Sequence, residues 1–327
     1  MMRTQWIPSQ ALILAVLVFA AADLPAITAA AVTDATGTSG SGSPEAITER
    51  FESGRIDWSA GKIITAGMKP PQDKDTDPEA IRQKALAMAR VAAQQRLLDT
   101  VKQVRIDAVT RVEAVVGRDP VIAAELEEMV RNQAEARSEY LSDGTVTVHL
   151  SLPLHGAFSQ LLLPPELKQI EAVLPVDTVA PVDDGSSGAP RTPSAADDIY
   201  SGMVVDAHGL RFKPAMMPAI VDEDGHELFG AVTASREYAV QYGMSGFSVD
   251  LDAALIDPRI GSRPLLVKAL RVNGAKVSEL AISNSDAATL RSAPEHLTFL
   301  KQCRVIIVMD PPTPSEPAPQ PAASQRD

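Results

Sequence analysis

The sequence predicts an α+β protein with two small modules, each a mostly antiparallel sheet with packed helices, joined by a Pro-rich linker. Three observations carry this reading. Short β-branched runs alternate with Ala-rich helical stretches. Two-residue turn signals recur between the strands, Asp143-Gly144 in the first half and Asp224-Gly225 and Asn273-Gly274 in the second. Finally, residues 173–198 (with four prolines and no aromatic residue) divide the two halves.

Taken in order, residues 1–31 read as a secretory signal. Arg3 supplies a positive start and residues 11–22 an apolar run of 12 residues. Ala20-Ala21-Ala22 and Ala29-Ala30-Ala31 supply small-residue cleavage sites. The run is short of the roughly 18–20 residues that span a bilayer, so no stable membrane anchor is expected after cleavage. Residues 32–44 are small and polar, a flexible lead-in.

The first module is placed at 45–172. Residues 54–68 read as a strand carrying Ile56, Ile63, Ile64 and Thr65 and ended by Gly67 and Pro70-Pro71. Asp77-Pro78-Glu79 is a helix start: a capping Asp, Pro at the first helical position, and an acid near the positive end of the dipole. That helix runs to about Lys102. Its line of Leu86, Ala89, Ala93 and Leu97 lets it sit close on a sheet. Residues 104–109 suggest a short strand, and Asp119-Pro120 opens a second helix to about Arg131. Residues 134–141 and 145–152 form a hairpin about Asp143-Gly144.

The second module is placed at 199–310. Residues 200–207 read as a strand, 219–222 and 226–229 as a hairpin, and 265–272 with 276–283 as another. Helices are expected at 235–242 and 285–292. Residues 304–309 (RVIIVM) form a continuous apolar strand, which belongs in the centre of a sheet buried on both faces. The tail 311–327 has six prolines in 17 residues and reads as disordered or polyproline-like.

Charge narrows the function classes. The chain has 30 Lys+Arg against 42 Asp+Glu, net −12. Residues 45–170 and 199–310 carry only −3 and −2, and more than half of the acidity lies outside these two stretches. Neither module is net basic, and nucleic acid demands a basic surface, so no nucleic-acid partner is expected.

The search for chemistry assigns no catalytic, cofactor-binding or metal-binding residues, and leans against an enzyme. Cys303 is the single cysteine, so no internal disulfide or cysteine-based zinc site can form. It reads as a small buried hydrophobe beside an apolar strand rather than a nucleophile. Asp222-Glu223-Asp224-Gly225-His226 is the most ligand-like cluster. Counted from Asp222 as an EF-hand loop, however, glycine falls at position 4 and Thr233 at position 12, so it reads as a hairpin turn. The five histidines (His149, His155, His208, His226 and His296) show no zinc-protease spacing. Gly243-Met244-Ser245-Gly246 is one residue short of a nucleophile elbow, and Gly54 with Gly61-Lys62 fails the P-loop spacing. The residues Arg82, Lys84, Arg90, Arg96 and Lys102 spread around the first helix and read as solvated faces. An envelope-directed hydrolase of unknown class is the alternative function, and it would need Asp206, His208 and Asp222 to converge on one pocket.

A family resemblance appears between residues 61 and 156. Its parts are the strand GKIITAGM, the Ala-rich stretch 85–93 (ALAMARVAA), residues 97–106 (LLDTVKQVRI) and residues 142–154 (SDGTVTVHLSLPL). In order and character they resemble the LPP20 lipoprotein-like module, also seen at the N-terminus of flagellar assembly protein T. The resemblance implies a bacterial envelope protein without known catalysis that acts through protein–protein contacts. This chain lacks the acylatable cysteine of the lipoproteins, which implies a soluble periplasmic or secreted variant with an envelope protein as partner. Residues 199–310 do not match the TolB-like domain that follows in the flagellar protein. Residues 200–230 resemble a module of uncharacterised secreted bacterial proteins. Small-ligand or ion binding by the second module is the remaining alternative, and no cofactor is expected.

Overall fold

The computed structural model describes residues 46–70, 77–132, 134–164, 167 and 199–311. The expected signal, lead-in and linker lie outside the described residues, as does the tail beyond Pro311. No helix among the described residues is long and apolar enough to cross a membrane.

The first half builds a five-stranded antiparallel sheet. Its strands are β1 (Thr48–Arg50), β2 (Arg55–Asp57), β3 (Lys62–Lys69), β4 (Glu135–Tyr140) and β5 (Val146–Pro153), in the order β1-β2-β3-β5-β4. The single strand expected at 54–68 is a hairpin, because Gly61 at φ +61° turns the chain between β2 and β3. The expected β4–β5 hairpin forms, with Gly144 at φ +84°.

Helix α1 (Pro78–Lys102) lies on one face of this sheet and buries Ala85, Ala89, Ala93, Leu97, Thr100 and Val101. Asp77 caps it by accepting from the Glu79 N–H at 3.0 Å. Small residues set the helix's height. A Cβ on Gly67 would lie 2.3 Å from the Ala89 carbonyl and 2.4 Å from the Ala93 nitrogen, so strand and helix backbones nearly touch there. The Thr65 hydroxyl donates to the Ala93 carbonyl at 3.3 Å beside this crossing.

Residues 104–109 are not a strand. A single bridge joins Arg105 to Arg111, and the short helix α2 (Val112–Val116) follows. Asp107 explains the difference: its side chain accepts from the Val109 and Thr110 N–H groups and closes a local turn instead of a ladder. Helices α3 (Pro120–Asn132) and α4 (Ala157–Leu162) follow among the described residues of this half.

The second half holds two sheets. One is the four-stranded β10-β6-β13-β9, with β6 (Gly202–Asp206), β9 (Gly246–Ser248), β10 (Pro264–Lys268) and β13 (Val305–Val308). All three of its pairings are parallel. The other is the mixed sheet β11-β12-β7-β8, with β7 (Ala219–Val221), β8 (Glu227–Phe229), β11 (Arg271–Asn273) and β12 (Lys276–Ala281). The α+β class holds, but the mostly antiparallel pairing expected of this half is corrected. Both glycine turns are real, and both fall in the mixed sheet. The parallel strands are joined by long crossings through α5 (Arg236–Tyr242), α6 (Leu251–Leu255), α7 (Asn284–Arg291) and α8 (Pro294–Lys301), which return the chain in the same direction. The stretch 265–272 is split between the two sheets at Ala269-Leu270.

Strand β13 sits in the middle of the parallel sheet with all four residues buried, as its apolar run predicts. Val204, Ile306 and Val308 pack with Ala254 of α6 on one face, while Met203, Val205, Val305 and Ile307 join the main core on the other. That main core is continuous across both halves of the chain. Main-chain bonds stitch the halves together: Met216 N–H to the Arg105 carbonyl at 2.9 Å, Met217 N–H to the Ile106 carbonyl at 2.7 Å, and Gly156 N–H to the Val240 carbonyl at 2.6 Å. The Trp58 and Phe247 rings meet edge to face at 5.9 Å.

Candidate functional site

Two clusters of titratable groups stand out in the second half, and their geometry differs. The first is the turn between β7 and β8. Asp222 is buried, its side chain 3 % exposed, although carboxylates seldom go inside without partners. Its Oδ1 accepts from the His226 N–H at 2.8 Å and the Asp224 N–H at 3.1 Å. Its Oδ2 accepts from Arg291 Nη2 at 2.8 Å and lies 3.2 Å from His226 Nδ1. The Arg291 hydrogen bond, helped by the His226 contacts and opposed by burial, holds the Asp222 carboxyl well below the usual carboxylate range. Around it, Asn284 of α7 donates to Asp224 and accepts from the Glu223 N–H, and Arg271 reaches the Glu223 carbonyl.

Asp222, Asp224 and His226 place possible ligand atoms within 4.8 Å of one another. The cation bonded to Asp222 Oδ2 in this structure is the guanidinium of Arg291. This turn is a latch that ties the β7–β8 hairpin to α7, in line with its reading as a hairpin turn. Arg291, 69 residues from Asp222, was not legible in the sequence.

The second cluster lies at the carboxyl end of the parallel sheet, where open α/β sheets carry their ligands. Asp206 ends β6, and His208 follows two residues later. His208 Nδ1–H donates to Asp206 Oδ1 at 2.7 Å, and Nε2–H points at the Val249 carbonyl beyond β9 at 3.3 Å. Asp310, just after β13, accepts from the Gly209 N–H at 2.7 Å. Burial opposes the charged imidazole, but the Asp206 hydrogen bond, the Val249 carbonyl and the charges of Asp206 and Asp310 together raise the His208 pKa. Asp206 shifts the other way: burial works against its ionised form, and its bonds to His208, with the charge of Lys268, more than offset it. The pair fastens the end of β6 to the end of β9, and its surroundings favour the charged imidazole more than water does.

The structure thus joins Asp206 to His208 and gives Asp222 separate partners, in its own β7–β8 turn and on α7. A serine–histidine relay would need Nε2 on a hydroxyl, and here it meets a main-chain carbonyl.

Cys303, Ser245 and His296 hold structural positions. Cys303 is buried, and burial, only partly opposed by the neighbouring charge of Arg259, pushes its thiol up to about 12. Arg259 itself donates to the Cys303 carbonyl at 2.9 Å and to the carbonyls of Tyr242 and Gly243. Ser245 precedes strand β9, whereas a nucleophile elbow needs its strand first. His296 is fully buried, accepting from the Tyr200 N–H at 3.2 Å and donating to the Thr289 carbonyl at 2.9 Å, which fixes the Nδ1–H tautomer.

A third place lies in the first half. A basin of about 450 Å³ opens beside the β1–β2 turn, lined by Arg50, Glu52, Arg55, Ile64, Arg96 and His149 among others. Arg96 and His149 stand out in the sequence, whereas Arg50 and Arg55 become neighbours only when β1 pairs with β2.

Against known proteins, residues 202–311 match a family model described as the second domain of Treponema pallidum Tp0624, an uncharacterised bacterial domain. The matched interval runs from the first residue of β6 to just past β13 and covers about a third of the chain. Both second-half clusters fall inside it. No curated protein matches the chain.

Proposed function

We propose that this chain is a periplasmic or secreted bacterial envelope protein that acts by binding other proteins, in the assembly of a surface structure. The apolar run after Arg3 supports export. The LPP20-like order of elements over residues 61–156 supports the envelope setting, and the match of residues 202–311 to a Treponema pallidum domain supports a bacterial one.

The observation that carries the binding role is strand β4. It is the outer strand of the five-stranded sheet, and all six of its residues are exposed. Its inner side pairs with β5, so its outer backbone groups offer a template for a partner's strand. Glu135, Arg137 and Glu139 discourage indiscriminate pairing while leaving the backbone to a complementary edge.

A photo-crosslinking residue in place of Ser138, on β4, tests this in intact cells. The expected product is an adduct with one identified envelope protein that a control position at Asp252 on α6 does not give. Equal adducts at both positions, or none at Ser138, would sink the proposal.

A further inference from the structure

The basin beside the β1–β2 turn is built for an anion. Arg50 and Arg55 are direct cross-strand partners in an antiparallel pair. Like charges set opposite one another in such a pair destabilise it. Among the described residues neither guanidinium has an acidic partner. A third guanidinium, Arg96 of α1, reaches the same turn and donates to the Glu52 carbonyl at 2.6 Å. Against these three cations the lining holds one carboxylate, Glu52.

The turn is also held in place. Phe51 and Gly54 exchange main-chain bonds of 2.8 and 3.3 Å, and the Thr100 hydroxyl donates to Ser53 Oγ at 2.7 Å. Gly54 has no room for a side chain, since a Cβ would lie 2.5 Å from Thr65 Cγ2 and 2.7 Å from the Ile64 carbonyl. Ile64 and Ala66, half-buried on the sheet face turned away from α1, give the basin an apolar floor.

We infer that this basin binds a phosphate monoester with a compact organic body, the phosphate held between Arg50 and Arg55 and the body resting on Ile64 and Ala66. Guanidinium forks match phosphate oxygens bidentately, and a dianion relieves the repulsion of the opposed pair. The ester can be free or the headgroup of a lipid. The inference is independent of the binding role proposed for β4.

Thermal melting of the full-length chain tests it. Glycerol 3-phosphate is titrated against sodium chloride at matched ionic strength, and flotation is measured with vesicles containing phosphatidic acid or phosphatidylcholine alone. A saturable rise in melting temperature with the soluble ester is expected, since a ligand of the native state stabilises by mass action. Arg50→Gln and Arg55→Gln should each weaken the response about tenfold while leaving the unliganded protein at least as stable as the parent. Flotation with phosphatidic acid alone, lost in both variants, assigns the lipid headgroup; a soluble response without flotation assigns the free ester. A response that follows only ionic strength, or variants that respond like the parent, overturns the inference.

Discussion

Arg105 and Glu49 form a buried, two-pronged ion pair, Nη1 to Oε1 at 2.9 Å and Nη2 to Oε2 at 3.3 Å, with side chains 8 % and 14 % exposed. The same Nη1 donates to the Pro214 carbonyl at 2.9 Å, so one guanidinium joins strand β1 to the second half of the chain. Removing one member strands the other charge in the interior. Arg105→Ala should therefore lower stability by about 3 kcal/mol, in the range for breaking a buried pair. Urea unfolding of Arg105→Ala, Glu49→Ala and the double variant checks this: the double should lose less than the two singles combined. Strict additivity would show that the pair is not coupled.

The contact between β3 and α1 at Gly67 has no slack, because the atoms that a methyl group would strike belong to the helix backbone. Gly67→Ala should destabilise by about 3 kcal/mol, the upper end of typical overpacking costs. Gly144→Ala, in a turn at φ +84°, serves as a comparison in which only local strain is introduced. Denaturant midpoints should rank Gly67→Ala as the more damaging; a parent-like Gly67→Ala would mean that α1 can lift from the sheet.

The Asp222 latch makes stability depend on acid. Its folded pKa lies below the unfolded value, so its contribution is present above the ordinary Asp range and is lost as pH falls through the folded pKa. Asp222→Asn should melt several degrees lower than the parent at neutral pH, and the gap should close as the pH is taken below about 4. Calorimetry at a series of pH values reads this directly. A gap that is constant with pH would assign the loss to packing instead of charge.

His208 works in the opposite sense. Its folded pKa is raised, so its contribution is complete below the unfolded value near 6.5 and is lost as pH rises through the folded one. The parent should lose melting temperature as pH rises above about 6.5, and His208→Gln should show a flatter profile. The two curves should converge at the alkaline end. The imidazole resonances of His208, followed by NMR, give the same midpoint independently.

Local features of this fold are legible in the residues themselves. Asp77-Pro78-Glu79 marks the start of α1, and Ala89, Ala93 and Leu97 mark the face that meets the sheet, where the structure buries Ala85 and leaves Leu86 half-buried. Asp143-Gly144, Asp224-Gly225 and Asn273-Gly274 mark three hairpins. The VIIV run marks a central strand. Each is a short-range signal, since caps, turns and burial periodicity act within a few residues. Asp206 and His208 are likewise two residues apart, and their contact follows from that spacing.

Tertiary structure alone decided the rest. Whether the strands of the second half pair parallel or antiparallel depends on where the crossings return, and β10 and β11 separate into different sheets within a few residues. Arg291 on Asp222, Arg259 around Cys303, and Arg105 between the halves are each set by packing over long separations. The sequence alone determined an α+β chain with near-neutral modules. What each charge in them does is fixed by its neighbours in space, because the energy of a buried ion depends on the distance to its counter-charge and not on chain order.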